Sequence, residues 1–402
     1  MVVAAVSAFG LMVDTGEIAL NQSLSAIFTA QPQAVAHGEL AWLLSAVYLG
    51  AVGGAPLAGW LSDRHGRRPV LLALLALIVV TSLAAAATTS MVGLIVFRIA
   101  AGVALGGYPS LVYTYLAETL PPRLRTQGVM IVSAIAFTGP PVTVMAVRAL
   151  TSIGPGNVPG WRWVLAGQAA CALIAAALTA FLPESPLWAL GRERDARPVP
   201  KAGRRLSGGG QTPQTLLFGV LFFLSPLATV VFPLLVGAAL VQQGLGLSTS
   251  LLVIAVSSIA PIAGPIGVAL LSDSIDRRHG LVGLCILGGA GLLGFIFSDS
   301  ASTLMMSMFV FYFATVGYVI LLNLYTAESF ATELRGRVMT GVWSLNRLCA
   351  VISPFVLLPL LHGSGHGHGR WTLAAAAFAA LALSAGLILA FGPAVRGREQ
   401  LT

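Results

Sequence analysis

The segment "GWLSDRHGRRPV" at residues 59–70 carries five ionisable side chains within six positions, between two long apolar runs. Charged residues make up only 9% of the chain, so this concentration needs a physical reason. The segment "LLSDSIDRR" at residues 270–278 repeats the pattern and places Asp273 210 positions after Asp63. An internal repeat of this kind predicts two related halves that carry the same charged turn.

The composition places these turns at a membrane surface. The chain has 402 residues, of which 57% are apolar, and its mean hydropathy is +0.89. One soluble core cannot hide so many apolar side chains, because the surface grows with chain length and must stay wet. The chain has 22 Lys and Arg against 14 Asp and Glu, an excess that indicates cytoplasmic loops of a membrane protein rather than a nucleic-acid-binding surface.

Twelve apolar runs are long enough to cross a bilayer as helices, which takes roughly 20 residues. They lie at 3–28, 41–60, 70–88, 91–117, 130–150, 162–182, 215–240, 249–271, 281–298, 302–327, 338–361 and 371–392. The first run carries Asp14 and Glu17 and lacks the basic start and the cleavage site of a signal peptide. The predicted fold class is therefore an all-α membrane protein with twelve transmembrane helices.

The basic residues predict the orientation in the membrane. Seventeen of the 22 Lys and Arg residues fall in alternate loops, at 61–69, 119–129, 183–214, 272–280 and 329–337 and after 392. Because basic residues stay on the cytoplasmic side, we expect a multi-pass protein of the inner (plasma) membrane with both termini in the cytoplasm.

A second repeated motif supports the division into halves. The segment "YTAESFATELR" at residues 325–335 matches "YLAETLPPRLR" at residues 115–125, again with an offset of 210. The polar stretch at residues 191–214 has the composition of a linker. We predict an N-terminal six-helix half at 1–182, a cytoplasmic linker at 183–214 and a C-terminal half at 215–402, with a substrate site between the halves near mid-membrane.

These motifs together resemble the major facilitator superfamily. "GWLSDRHGRR" resembles its signature between helices 2 and 3, Arg98 followed by Gly102 its fourth-helix arginine motif, and "AETLPPRLR" its E-x-x-P-x-x-x-R turn. "GWRW" at residues 160–163 and "PESPLW" at residues 183–188 resemble the sugar-porter and metabolite–proton symporter branch. The resemblance implies a secondary transporter that works by alternating access, which is not an enzyme.

The chain also departs from that branch. Leu187 replaces the usual arginine of "PESPLW", and helix 7 lacks the glutamine-rich run of sugar porters, since Gln242 and Gln243 come near its end. A hexose is therefore disfavoured, and the expected function is proton-coupled symport of a small organic anion or metabolite. The alternative is a proton-driven efflux antiporter of drugs or amphipathic metabolites. "AIAFTGPP" at residues 134–141 weakens that alternative without excluding it, because it lacks the flanking glycines of the antiporter motif.

Proton coupling requires a carboxylate inside the membrane. Asp14, Glu17 and Asn21 share one face of helix 1, and burying such charges costs at least ~2.5–3.5 kcal/mol each on insertion scales. We predict that Asp14, Glu17 and Arg98 carry the coupling. The resemblance favours Asp14, whereas the helical rise of about 1.5 Å per residue puts Arg98 level with Glu17 to Asn21. The alternative is an acid that only pairs with Arg98 and holds helices 1 and 4 together.

A second embedded cation suggests an anionic substrate. Arg347 has no acid in its own spanning helix, and a guanidinium can clamp a carboxylate through two parallel hydrogen bonds. The alternative is an Arg347 that snorkels or packs structurally. The residues predicted to contact the substrate are Asn21, Gln22, Tyr318, Asn323, Trp343, Asn346 and Arg347.

The charged turns predict a conformational gate. We expect Gly59 to permit a close helix approach, Asp63 to lie near the N-terminus of helix 11, and an arginine of the turn to reach Glu118. The predicted gate residues are Gly59, Asp63, Arg67, Arg68, Glu118, Arg125, Asp273, Glu328 and Arg335. The alternative is a purely topogenic role for the arginines.

Neither a cofactor nor a metal is expected. Cys171, Cys285 and Cys349 lie in apolar runs and are interpreted as packing residues, and the histidines of "HGSGHGHG" at residues 362–369 as part of a flexible loop. The chain has no G-x-x-x-x-G-K-[ST] motif, so ATP drive from this chain is not expected. The expected partners are a small-molecule substrate, protons and lipid, with a monomer as the functional unit.

Overall fold

The structure is a computed structural model that describes residues 2–153, 156, 158–186, 188–189, 212–272, 276–298, 300–330, 332–363 and 369–393. Asp273, Leu187 and residues 364–368 of the histidine segment lie outside the described residues, as do the side chains of Arg125 and Arg335. Most of the predicted linker, residues 190–211, also lies outside them. The boundaries at 182 and 215 therefore stay predictions.

Fifteen α-helices and one π-helical segment form the described chain. They are α1 Val2–Ile27, α2 His37–His65, α3 Arg67–Ala87, α4 Met91–Thr119, α5 Pro122–Ala136, α6 Gly139–Ile153, α7 Gly160–Thr179, α8 Thr212–Pro226, a π segment Leu227–Val231, α9 Phe232–Gln242, α10 Leu247–Ser257, α11 Ala260–Ser272, α12 Arg277–Phe297, α13 Ala301–Ser329, α14 Thr332–Gly363 and α15 Gly369–Phe391. Twelve stretches of them are long and apolar enough to cross a membrane. The predicted all-α fold with twelve spans is thus confirmed.

A proline-dependent break in the fifth span anchors α1. Pro140 has no backbone N–H to donate to the carbonyl of Ala136, so the helix is interrupted between α5 and α6. The Thr15 hydroxyl donates to the freed Ala136 carbonyl at 2.6 Å. At Gly139 an added Cβ would lie 2.2 Å from the Met12 carbonyl oxygen, so only glycine permits this approach. The break therefore sets the position of the middle of α1, where Asp14 lies.

Helices α2 and α4 cross at backbone contact. A Cβ at Gly54 would lie 2.1 Å from the Val103 carbonyl oxygen, and one at Gly102 would lie 2.1 Å from that of Val47. Small residues at such crossings let helices pack through their backbones, which supplies dispersion energy in a medium that gives little hydrophobic drive between helices. This contact sets the separation between Tyr48 on α2 and Arg98 on α4.

The repeat in the sequence is also a repeat of contacts. The Tyr115 hydroxyl donates to the Pro183 carbonyl at 2.5 Å, and the Tyr325 hydroxyl donates to the Pro393 carbonyl at 2.8 Å. Both donors and both acceptors are offset by 210 positions. These contacts mark the basic end of the bundle, defined as the end that carries residues 59–68 and 276–278. The other end, with residues 28–42, 148–162 and 237–249, is called the opposite end.

The two halves are tied together at the opposite end. The Ser45 hydroxyl of α2 donates to the Val351 carbonyl of α14 at 2.8 Å, and the ring centroids of Trp42 and Phe355 lie 5.0 Å apart. Arg148 Nε donates to the Ser248 carbonyl at 3.1 Å. At the basic end α5 also contacts α11.

Candidate functional site

A buried ion pair joins α1 to α4. Arg98 Nη1 lies 2.7 Å from Glu17 Oε2, Arg98 Nη2 donates to the Glu17 carbonyl at 3.1 Å, and the Ser82 hydroxyl donates to Glu17 Oε1 at 2.7 Å. The side chains of Glu17 and Arg98 are 0% and 1% exposed. The sequence analysis left open an acid that pairs with Arg98 and holds helices 1 and 4 together. Glu17 occupies that position. Ser82 on α3 was not among the predicted site residues.

Asp14 lies one turn away and has no such partner. It is 1% exposed, makes no ion pair with any described residue, and its Oδ1 atom has no hydrogen-bond partner in the described chain. The neighbouring contacts hold it in place: Thr15 bonds Ala136, and a Cβ at Gly16 would lie 2.6 Å from Gln168 Nε2. Asp14 is therefore a buried acid whose charge is not neutralised by a direct contact.

Arg347 approaches this acid from the other half. Its guanidinium carbon lies 5.7 Å from the centroid of the Trp343 ring, and it interacts electrostatically with Tyr48 and Asp14. Tyr48 follows Ser45 by one turn, and Arg347 precedes Val351 by one turn, so the Ser45–Val351 hydrogen bond brings the two side chains to the same level. Sequence reasoning missed Tyr48, because one tyrosine in an apolar run carries no functional signal.

The C-terminal half contributes a polar cluster beside Arg347. Trp343 Nε1 donates to Asn323 Oδ1 at 3.1 Å, and Asn346 Nδ2 donates to the Ser225 hydroxyl at 2.9 Å. Asn346 is 4% exposed. Four predicted substrate residues are thus neighbours on α13 and α14. Ser225 on α8, which fixes the Asn346 amide, was not predicted.

The other predicted substrate residues lie elsewhere. Asn21 is fully buried and its amide donates to the Leu44 carbonyl of α2 at 3.1 Å, while Gln22 is half-buried beside it. Tyr318 faces Cys285 on α12 and packs inside the C-terminal half. It does not join the cluster around Arg347, because a step of five residues along α13 turns Tyr318 by roughly 140° from Asn323.

The charged turn of the first half forms a connected network at the basic end. Arg67 donates to Glu118 through Nε at 3.1 Å and Nη2 at 3.0 Å, and to Asp63 through Nη1 at 2.6 Å. The Ser185 hydroxyl donates to Glu118 at 2.6 Å, and Glu184 Oε1 accepts the backbone N–H of Arg67 at 2.9 Å. The network joins α2, α3 and α4 to the start of the predicted linker.

Further contacts extend this network. The Arg68 guanidinium donates to the Ala180 carbonyl, and Trp188 Nε1 donates to the Asp63 carbonyl at 3.0 Å. Glu184, Ser185 and Trp188 were not predicted as gate residues. All three belong to "PESPLW", the segment that resembles the metabolite–proton symporter branch.

The second half repeats the arginine–glutamate pair at the same offset. Arg277 donates to Glu328 through Nε at 3.2 Å and Nη2 at 3.3 Å. At the offset of 210 the residue that corresponds to Glu184 is Ala394. The Asp276 side chain accepts the backbone N–H of Arg278 at 3.0 Å. The second network is therefore similar in its arginine pair and different in its anchor.

Two details of the predicted gate differ from the structure. No atom of a described neighbouring residue lies within 4 Å of a Cβ placed at Gly59, so the described part of the chain shows no close helix approach there in this conformation. The Asp63 side chain is 76% exposed and pairs with Arg67 instead of lying at the N-terminus of the eleventh span.

Comparison with known proteins agrees with this architecture. Residues 2–354 match the Major Facilitator Superfamily. The probable metabolite transport protein CsbC of Bacillus subtilis is 29% identical over 366 residues, covering 79% of this chain and 76% of that protein. The 3-(3-hydroxy-phenyl)propionate transporter of Escherichia coli is 27% identical over 331 residues, covering 81% and 79%.

A solved structure shares the fold. The xylose transporter XylE from E. coli, in a partially occluded inward-open conformation, superimposes with a TM-score of 0.78 at 17% identity, covering 99% of this chain and 98% of that chain. Together with the family match over most of the chain and the twelve spans, this shows that the protein is a multi-pass membrane transporter, not an enzyme, and belongs to the Major Facilitator Superfamily.

Proposed function

We propose that this protein is a proton-coupled symporter that carries a small organic anion across the membrane by alternating access. The observation that carries the proposal is Asp14, which is 1% exposed, makes no ion pair with a described residue and interacts electrostatically with Arg347 of the other half. Burying an ionised acid without a contact partner costs desolvation free energy, and taking up a proton removes that cost. Glu17 and Arg98 complete the coupling site by neutralising each other beside it.

Arg347 supports the anionic substrate. It is half-buried, it donates no hydrogen bond to any described residue, and Trp343, Asn323 and Asn346 lie next to it. A guanidinium in this state can bind a carboxylate through two parallel bonds, while the Trp343 ring offers an apolar face. The relative that carries 3-(3-hydroxy-phenyl)propionate is consistent with this chemistry, and the structural neighbour that carries xylose makes a neutral sugar the competing substrate.

The proposed gate is the pair of arginine–glutamate contacts at the basic end. Exposed ion pairs contribute about 0–1 kcal/mol each, so several must act together to hold one conformation. Arg67 is 12% exposed and bonded to two acids, which makes its contacts stronger than an isolated surface pair. In the outward-open state we expect Asp63 to leave solvent and face the eleventh span.

The proposed location is the inner (plasma) membrane with both termini in the cytoplasm, so the basic end faces the cytoplasm. One chain contains both halves of the proposed site, because Asp14 and Arg347 come from the same polypeptide. The proposed functional unit is therefore the monomer. Size-exclusion chromatography with light scattering on purified, active protein tests this directly.

The function is tested in proteoliposomes. Purified protein is first screened by thermal shift against carboxylic acids, sugars and cationic drugs, since ligands that bind the folded state raise its Tm. For a carboxylate that stabilises it, Asp14→Asn should abolish accumulation driven by a pH gradient while substrate exchange continues. Glu17→Gln, the matched change one turn away, should reduce coupling less. Accumulation by Asp14→Asn against a gradient contradicts the role of Asp14, and stabilisation by sugars alone contradicts the anionic substrate.

A further inference from the structure

The site contains two acids and two arginines, but only one acid and one arginine are in direct contact. Glu17 and Arg98 make a direct pair at 2.7 Å, supported by Ser82, and both are buried. Arg98 Nη1 and Nη2 both donate to Glu17, so the cation on α4 is already neutralised. Among the described residues, the cation that interacts electrostatically with Asp14 is Arg347, on the other half of the protein.

Among the described side chains, the groups that interact with Asp14 include no other cation; the side chains of the α5 arginines lie outside the described residues. The interacting groups are Glu17 on α1, Tyr108 and Tyr113 on α4, and Arg347 on α14. Helix α9, which also packs on α1, contains no ionisable residue. The described arginines of α6 and α7 are engaged elsewhere: Arg148 bonds Ser248 at the opposite end, and Arg162 bonds the Ala86 carbonyl.

We infer that Asp14 and the substrate carboxylate compete for Arg347, so that each cycle carries one proton and one monoanion with no net charge. In the empty site the ionised Asp14 balances Arg347. When Asp14 takes a proton its charge is lost, Arg347 becomes free, and a substrate carboxylate restores neutrality. The inference rests on the proposed function for the identity of the substrate, but the electrostatic interaction of Asp14 with Arg347 does not depend on it.

Neutrality of the loaded site has a physical reason. A net charge inside the protein must be desolvated each time the halves close over it, and that penalty opposes the conformational change. A protonated Asp14, a cationic Arg347 and a bound monoanion sum to zero, as do the ionised Asp14 and Arg347 of the empty carrier. A neutral sugar bound with a proton leaves one positive charge. The same charges therefore select a monoanion over a sugar.

The pairing is tested by double-mutant cycles that need no substrate. The first cycle measures the Tm of detergent-purified protein at pH 8 for Asp14→Asn, for Arg347→Gln and for the double mutant. The second cycle measures the same quantity for Asp14→Asn, for Arg98→Gln and for their double mutant. We expect Arg347→Gln to lower Tm by about 3 °C or more and Asp14→Asn to recover at least half of that loss. The coupling of Asp14 with Arg98 should be less than half as large, because Glu17 is the partner of Arg98.

The outcomes separate this inference from the proposed function. Equal or stronger coupling of Asp14 to Arg98 overturns the inference, even if proton-driven uptake is observed. If Arg347→Gln alone does not fold, recovery of folded protein on adding Asp14→Asn supports the pairing. Arg347→Lys keeps the charge and serves as the control; if it folds while Arg347→Gln fails both with and without Asp14→Asn, the inference is wrong.

Discussion

Electroneutral transport is a prediction with a magnitude that follows from the charges of the site. Because Asp14, Arg347 and one carboxylate sum to zero when the proton is bound, the loaded carrier moves no net charge. Moving one elementary charge across a membrane potential of 100 mV is worth about 2.3 kcal/mol. A carrier that moved one net charge per cycle could therefore accumulate its substrate roughly 50-fold. For this transporter we expect a membrane potential alone to cause no accumulation, so that the inside and outside concentrations of the substrate become equal. A pH gradient of one unit should give about tenfold.

The assay separates the two driving forces in proteoliposomes. Valinomycin with a potassium gradient sets the potential at equal pH, and valinomycin with equal potassium clamps the potential at zero while a pH gradient is imposed. The probe is radiolabelled 3-(3-hydroxy-phenyl)propionate, the compound named for a relative. Protein-free liposomes correct for permeation of the neutral acid, and Asp14→Asn liposomes correct for uncoupled exchange.

Two results would refute the reasoning. Accumulation of the probe by potential alone would show that charge moves with the substrate, so Asp14 and the carboxylate do not share Arg347. Saturable uptake of D-xylose driven by potential and unaffected by carboxylates would show that the loaded site carries a positive charge. Either result leaves the family and the fold untouched, because both rest on the twelve spans and the match over residues 2–354.

Three further predictions test the packing, the gate and the topology. Gly54→Ala should lower Tm by about 1–4 °C, because its Cβ would lie 2.1 Å from a carbonyl oxygen and overpacking costs about 1–3 kcal/mol. Gly53→Ala is the control: its Cβ meets nothing within 4 Å, so Tm should stay within about 1 °C of the wild-type value. Asp63→Asn should insert normally yet transport at least about tenfold more slowly; wild-type initial rates would reduce the turn to a topology signal. His366→Cys should react with an impermeant maleimide in intact cells, and reaction only after permeabilisation would reverse the orientation.

Much of the fold could be predicted from the sequence because membrane helices are locally determined. With no water in the bilayer core, each spanning segment must satisfy its own backbone hydrogen bonds, so length and apolarity are sufficient to identify twelve spans. The sequence likewise predicted that Arg67 or Arg68 reaches Glu118. The structure places Arg67 there and shows the same pair, at an offset of 210, at Arg277 and Glu328. Both are properties of short segments or of their spacing.

The partners inside the membrane depend on tertiary packing. Asp14 and Glu17 share one face of α1, and the sequence left open which of them meets Arg98. The choice of Glu17 follows from the height and rotation of α1, which are set by the contacts of Thr15 and Gly16 with residues more than 100 positions away. Helical periodicity specifies which residues share a face but not how far that face is turned toward a neighbour. Only the packed bundle therefore decided that one acid is neutralised and the other faces Arg347.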